Sequence, residues 1–207
     1  IGKQKIAAIG EIDLSVTEKL IRKSAYGFEI YPEKISLIFK NPKIKKREDS
    51  VLDNLRLGFV YAGFKELMHM PFVSRGSFEQ LNSDNWTAAE LQNPINENEP
   101  LLRGSLFKSM FSAINLNVKK GHTSIRVFEV GNVFKKEKNS FTQFLHLSGM
   151  IYHHEPQIAW SQKELTFDFF SLKAEILQLF QTLGLANIKF QKLDSSSPFN
   201  ENALEIL

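Results

Sequence analysis

Cysteine is absent from this chain of 207 residues. Disulfides, thiolate metal sites and a cysteine nucleophile are therefore excluded, and the composition fits a reducing compartment such as the cytosol. Glycine is scarce, with 11 residues, and none of them forms the phosphate-cradling loop of a dinucleotide fold or a P-loop. A Gly-x-Ser-x-Gly elbow is missing too, which removes a common hydrolase signature. No apolar run reaches the roughly 18 residues of a membrane-spanning helix. The opening Ile1-Gly2-Lys3-Gln4 has the pattern of neither a signal nor a transit peptide. A large excess of one charge is also lacking: 26 Lys and Arg face 23 Asp and Glu, a net +3. That balance is compatible with a nucleic-acid neighbour, but a Lys-rich surface reaches it without one. What the chain has in abundance is phenylalanine, 18 residues, which predicts an aromatic-rich core.

Strand and helix signals are interspersed along the sequence. Gln4–Ile12 alternates around Ile6, Ala8 and Ile12 and reads as a strand, followed by a short helix at the capping-box pattern Ser15-x-x-Glu18. Tyr26–Tyr31 reads as a second strand stopped by Pro32. Lys40–Arg47 is basic and aperiodic and contains Pro42, which marks a linker. Asp49 or Ser50 can cap a helix on which Val51, Leu52, Leu55, Phe59 and Ala62 share one face, with Gly63 as its stop; on the residues alone this is a core-facing helix. Leu67–Val73 is predicted as a strand and the polar Asn82–Pro100 as a long loop. A helix beginning at Ser105 carries Leu106, Phe107, Met110, Phe111 and Ile114 at helical spacing and ends before Gly121. The strongest strands are the alternating run from Ile125 to Asn132 and Phe144–Tyr152, joined by a charged Lys135–Ser140 turn into an antiparallel hairpin. Asp168 caps a last helix bearing Leu172, Ile176, Leu179, Phe180 and Leu183, closed by Gly184. Ile188–Leu193 and Ala203–Leu207 are short strands, and no internal repeat is found. Because the best-defined strand pair is a hairpin, the fold class is α+β with an antiparallel sheet, not a doubly wound parallel one.

The residues that carry chemistry are few. His69, His122, His146, His153 and His154 are scattered. Neighbours on a strand point to opposite faces, so His153 and His154 do not chelate one metal, and exposed or hydrogen-bonded histidines are the reading. Glu129 falls mid-strand beside the expected core, where a carboxylate needs a partner or solvent. Arg126 is too close in sequence and on the opposite face, so that partner has to come from elsewhere; a structural ion pair outweighs a substrate contact. Lys40, Lys43, Lys45, Lys46 and Arg47 could meet phosphate. No aromatic residue interleaves with them between Asn41 and Arg47, so a single-strand stacking groove is not supported.

Several segments together resemble the core domain of the phenylalanyl-tRNA synthetase beta subunit. Asn93-Pro94-Ile95 through Leu101-Leu102-Arg103-Gly104-Ser105-Leu106 resembles the family's Asn-Pro-(Leu/Ile) stretch leading to Leu-Arg-Thr-Ser-Leu, with Gly104 in place of Thr. Arg126-Val127-Phe128-Glu129-Val130-Gly131-Asn132-Val133-Phe134 is similar to the family's Arg-x-Phe-Glu-(Ile/Val)-Gly-x-Val-Phe strand, and His146-Leu147-Ser148-Gly149-Met150 to the strand that returns. Trp160 with Asp168-Phe169-Phe170-Ser171-Leu172-Lys173 resembles a further segment, Ser171 replacing Asp. Ile6–Phe28, with Ile9-Gly10-Glu11-Ile12-Asp13-Leu14 at its turn, resembles a segment that in the family follows the part matched by Leu193–Leu207. Here it comes first. Joining Leu207 to Ile1 gives a sensible strand–turn, so the order is a circular permutation or a numbering out of biological order, and both remain open.

The resemblance implies a class II aminoacyl-tRNA synthetase-like antiparallel sheet flanked by helices, in one domain spanning 1–207. Residues 1–40 would be the C-terminal part of the family's domain, 41–47 the joint, and 48–207 the N-terminal part. It implies a non-catalytic structural domain that pairs with the catalytic alpha subunit, partly through a helix whose interface residues are Val51, Leu52, Leu55 and Phe59. Arg126 and Glu129 would line a vestigial pocket. No catalytic residue or metal site is implied. The third-motif position, Ile9–Leu20, carries Glu11 and Asp13 and no Arg, and carboxylates repel a triphosphate. No cofactor is then expected in this domain; ATP and Mg belong to the alpha subunit. Contact with tRNA is indirect, through the whole enzyme; no membrane is involved, self-association of the isolated domain is allowed for, and the location is cytoplasmic. The alternatives are an active enzyme binding ATP at the hairpin, and a free-standing RNA- or ligand-binding module of the same fold.

Overall fold

In the computed structural model, described over residues 7–11, 25–38, 48–81, 87–137, 140–153, 167–182, 188–192 and 204–206, the hairpin organises the molecule. Strands β7 (Ser124–Lys136) and β8 (Phe141–His153) pair in register along their whole length, from Ser124 opposite His153 to Lys136 opposite Phe141. Their alternation is that of strands covered on both faces. Phe128 and Val130 of β7, with Leu147 and Ile151 of β8, point one way; Ile125, Val127 and Val133, with Met150 and Tyr152, point the other.

Five more strands extend this pair into a sheet of order β3-β7-β8-β2-β1-β10-β9. They are β1 (Ala7–Glu11), β2 (Ala25–Ile30), β3 (Lys65–Leu67), β9 (Phe190–Lys192) and β10 (Leu204–Ile206). All the pairings are antiparallel except that of the edge strand β3, which runs parallel to β7. Three two-residue strands, β4 (Phe72–Val73), β5 (Ala89–Glu90) and β6 (Leu101–Leu102), form a separate small sheet with its own apolar cluster of Val73, Phe78 and Leu101.

Helices lie on both faces of the large sheet, as its two-sided apolar pattern requires. α1 (Pro32–Ile38), α2 (Glu48–Tyr61) and α5 (Phe169–Thr182) contribute Ile35, Leu55, Phe59, Leu172, Ile176 and Phe180 to one core. α4 (Phe107–Lys119) covers the other face with Phe107, Met110, Phe111 and Ile114, and α3 (Arg75–Leu81) packs by the small sheet. The first core is aromatic, as the phenylalanine count predicts. Phe59 stacks on Phe28 with ring centroids 4.9 Å apart and on Phe128 at 5.3 Å, while Phe64 meets Phe28 and Phe59 edge-on. No described helix is long and apolar enough to cross a membrane.

Two local expectations need correction, and one expected strand stop also begins a helix. Pro32 ends β2 but also opens α1, because its fixed φ and missing N–H suit a first helical turn. The single strand expected over Leu67–Val73 breaks at Met68–Pro71 into β3 and β4, which belong to different sheets. The expected long loop Asn82–Pro100 contains β5. The short helix at Ser15, the basic run Lys40–Arg47, His154, Trp160, Gly184 and the termini Ile1 and Leu207 lie outside the described residues.

Candidate functional site

Two carboxylates on one face of the large sheet organise the polar chemistry of the domain. Glu129 on β7 and Glu29 on β2 stand on either side of Ser148 on β8, all three in one cross-strand row. Each carboxylate is held by its own set of donors.

Glu129 is almost fully buried, at 1% exposure. Its Oε1 accepts from Arg103 Nη1 at 2.6 Å and from the His69 backbone N–H at 3.3 Å. The second oxygen accepts from His69 Nδ1 at 2.7 Å, since a carboxylate can only accept. Arg103 sits just after β6 and is itself buried; its Nε donates to the Asn132 carbonyl at 3.0 Å. The Arg103 backbone N–H donates to Pro71, and its carbonyl accepts from Phe134 N–H. One arginine thus ties the small sheet to β7. Gly131 leaves the room it needs: a Cβ there would run into the guanidinium.

Glu29 is built differently. His146 Nδ1 donates to its Oε1 at 2.9 Å, Ser148 Oγ approaches the same oxygen at 3.5 Å, and Tyr31 hydroxyl donates to Oε2 at 3.1 Å. The Tyr31 ring meets His146 edge-on at 5.1 Å. Both histidines are therefore hydrogen-bonded partners of carboxylates.

Arg126 is on the opposite face of β7 and does not meet Glu129. Its guanidinium donates to the Ala62 carbonyl at 2.7 Å, just past the end of α2, and pairs with Glu175 on α5. It also lies over the rings of Phe64 and Phe167, 5.2 Å and 5.5 Å from their centroids. A cation at a helix C-terminus is favourably placed against the exposed carbonyls. The two residues expected to share a pocket instead serve two separate packing tasks.

The four expected interface residues are split in the same way. Leu55 and Phe59 are at 0% and 2% exposure inside the aromatic core, and Val51 packs against that core, with Leu52 half-buried. Leu55 and Phe59 are thus not on the surface of the folded chain. The apolar residues that α2 turns outward are Leu57, Val60 and Tyr61, and the segment after β3 adds Met68 and Met70. Leu57, Val60 and Tyr61 carry no signal of their own in the sequence, because periodicity groups the residues that share a face without telling which face the rest of the chain covers. The sequence reading missed Arg103, His69, Glu29 and His146 as ionic partners because they lie 26, 60 and 117 residues from their counterparts.

Among the described residues, no group of three or more His, Cys, Asp or Glu is placed to hold a metal ion. Burial holds the Tyr152 hydroxyl above its ordinary pKa. The Ser171 hydroxyl and backbone N–H, at 2.7 and 2.8 Å, hold Asp168 below the ordinary carboxylate range.

Comparison with known proteins gives this geometry a context. The family model described as the phenylalanyl tRNA synthetase beta chain CLM domain matches residues 39–207. The phenylalanine–tRNA ligase beta subunit of Francisella tularensis subsp. tularensis is 28% identical over 179 residues, 83% of this chain and 22% of that protein. That of Thermobifida fusca is 42% identical over 76 residues, 35% of this chain and 9% of its own length. The chain spans about a fifth of the length of the curated relatives that match most of it. Among solved structures, the Desulfitobacterium hafniense pyrrolysyl tRNA synthetase PylSc superposes with a TM-score of 0.55 at 11% identity, over 85% of this chain and 58% of that one. This likeness shows the fold, that of a class II aminoacyl-tRNA synthetase.

Proposed function

The chain belongs to the phenylalanyl-tRNA synthetase beta chain CLM domain family, and from that premise we propose that it is a non-catalytic structural domain that assembles with the catalytic alpha subunit of a phenylalanine–tRNA ligase. The observation that carries this reading is the outer side of the α2–β3 unit. Leu57 and Val60 are each 50% exposed and Tyr61 85%, while Met68 and Met70 reach 94% and 66%. Single exposed apolar residues are ordinary; five within 14 residues of sequence support reading this side as an interaction surface. Among the described residues β3 is also a sheet edge, paired on one side by β7, and can accept a neighbouring strand.

The non-catalytic part of the proposal is supported by the commitment of Glu129. Arg103 and His69 take up both of its oxygens, so the one carboxylate in the hairpin strand that could act on a substrate is already spent on holding two sheets together. ATP, Mg and the chemistry then reside in the alpha subunit, tRNA is met through the whole enzyme, and the cytoplasm is the working compartment.

The test is co-elution with the alpha subunit on gel filtration. Val60→Asp and Tyr61→Asp are expected to keep the wild-type unfolding midpoint and to lose association. Phe141→Asp, at an exposed position by the hairpin turn, should change neither. Wild-type co-elution of both α2 variants would overturn the interface, and measurable heat on titrating ATP into the chain alone would overturn the silent reading.

A further inference from the structure

The first strands of the sequence occupy the middle of the sheet. β2 and β1 fill the space between β8 and β10, yet the family match begins only at residue 39. The matched residues alone would leave two separate strand groups, β3-β7-β8 and β10-β9, with a two-strand gap between them. The backbone groups of β8 and β10 that pair with β2 and β1 would then lack those partners, and the sheet would have two open inner edges.

The pairings state where the missing strands attach. β9 pairs antiparallel with β10, β10 with β1, and β1 with β2. Read in that order, the four strands form an antiparallel meander, the pattern produced when sequence neighbours are joined by short turns. Two of the three joints follow the sequence. The middle one does not: Ala7 lies opposite Ile206, Ala8 opposite Glu205 and Ile9 opposite Leu204, almost a full chain apart in sequence. Seven residues, Leu207 and Ile1–Ile6, separate these paired ends if Leu207 is followed by Ile1. That is enough for a hairpin connection, and Gly2 within it suits a turn.

We infer that β10 and β1 are consecutive strands of the family's domain and that this chain carries the family's closing segment, β1-β2-α1, ahead of the rest: its order is circularly permuted. The segment 39–47 is then the new covalent joint between α1 and α2. Folds with neighbouring ends tolerate such a cut and rejoining, because the native contacts do not depend on which loop is open. This inference rests on the sheet and the family match, and not on the proposed partner surface.

The experiment compares the present order with a reordered chain, residues 48–207 followed directly by 1–47. Each is made with and without Ala8→Cys and Glu205→Cys, the only cysteines in either. The reordered chain should unfold cooperatively within about 5 °C of the original, and both orders should form one disulfide within a single chain. The inference is overturned if the disulfide forms in the present order but the reordered chain gives no cooperative transition. It is equally overturned if the present order yields only disulfides between chains, because β1 would then belong with another copy. Loss of alpha-subunit binding bears on the partner surface alone.

Discussion

Arg103 and Glu129 are a pair whose members depend on each other more than the fold depends on the pair. Their side chains are only 5% and 1% exposed, so each charge has given up its hydration and is compensated mainly by the other. Removing one partner strands a buried charge. Arg103→Met or Glu129→Leu alone should cost about 3–5 kcal/mol in urea unfolding, and the double variant distinctly less than the sum. Additive costs would mean that the ion pair is not the link between the sheets. Gly149 poses a simpler steric problem. The Phe28 ring lies over it so closely that a Cβ would overlap three ring atoms, and Phe59 and Phe64 fix that ring from its other sides. Gly149→Ala should therefore destabilise by about 1–3 kcal/mol despite the better strand propensity of alanine. At this scale the sequence was partly readable. That Glu129 needed a distant partner followed from strand geometry; that the partner was Arg103 did not, because no local pattern relates two residues on different sheets.

Elements were legible where periodicity ran long. The 13-residue strands β7 and β8 alternate over enough positions to declare themselves, and the last helix is announced by its cap. Asp168 accepts the Ser171 N–H and hydroxyl through Oδ1, and these bonds favour its ionised form. Its folded pKa is lowered, so its contribution is present above the unfolded value of about 3.9 and is lost as pH falls through the lower folded value. Asp168→Ala should lower the thermal midpoint at neutral pH, and the gap from wild type should close on acidification below about pH 4. A gap that persists in acid would show that the carboxylate's charge is not what caps α5. The two-residue strands left no such signature. β4, β5 and β6 exist because a tertiary neighbour pairs them, and periodicity cannot register two residues. The α2 stripe faces the core, as the residues alone suggest, and not a partner, as the resemblance implies. Periodicity tells which residues share a face, and only tertiary packing tells whether that face meets the chain's own core. Leu55→Asp should consequently unfold the domain, costing more than about 4 kcal/mol, whereas Val60→Asp on the other side of the same helix leaves stability within about 0.5 kcal/mol of wild type. Equal stability of the two variants in chemical denaturation would refute this division of the helix.

For the whole molecule, the decisive quantity is what the first 38 residues bring to the core. Ala7, Ile9, Phe28, Ile30 and Ile35 are each at 0% exposure in the aromatic cluster, and Ala8 and Ala25 help close the other. Fully burying a large aliphatic or aromatic side chain is worth about 1.5–3 kcal/mol. The four large residues in this set therefore account for roughly 6–12 kcal/mol, comparable to the entire stability of an ordinary domain, about 5–15 kcal/mol. Backbone pairing adds to the loss, since β8 and β10 both become open edges when β1 and β2 are removed. A chain of residues 48–207 should on these grounds lack a cooperative thermal transition and bind a hydrophobic dye, even though it contains nearly all of the family match. Covalent order is a separate requirement from the presence of these strands. Residues 1–38 produced as a second chain in the same cell supply the same side chains and backbone partners, at the cost of an association step. Co-production should therefore restore a soluble two-chain complex that unfolds in one transition, with a midpoint that rises with protein concentration. A soluble, cooperatively unfolding 48–207 chain on its own would show that the central strands are an addition to a self-sufficient core, and the division of the sheet into two incomplete halves would have to be abandoned.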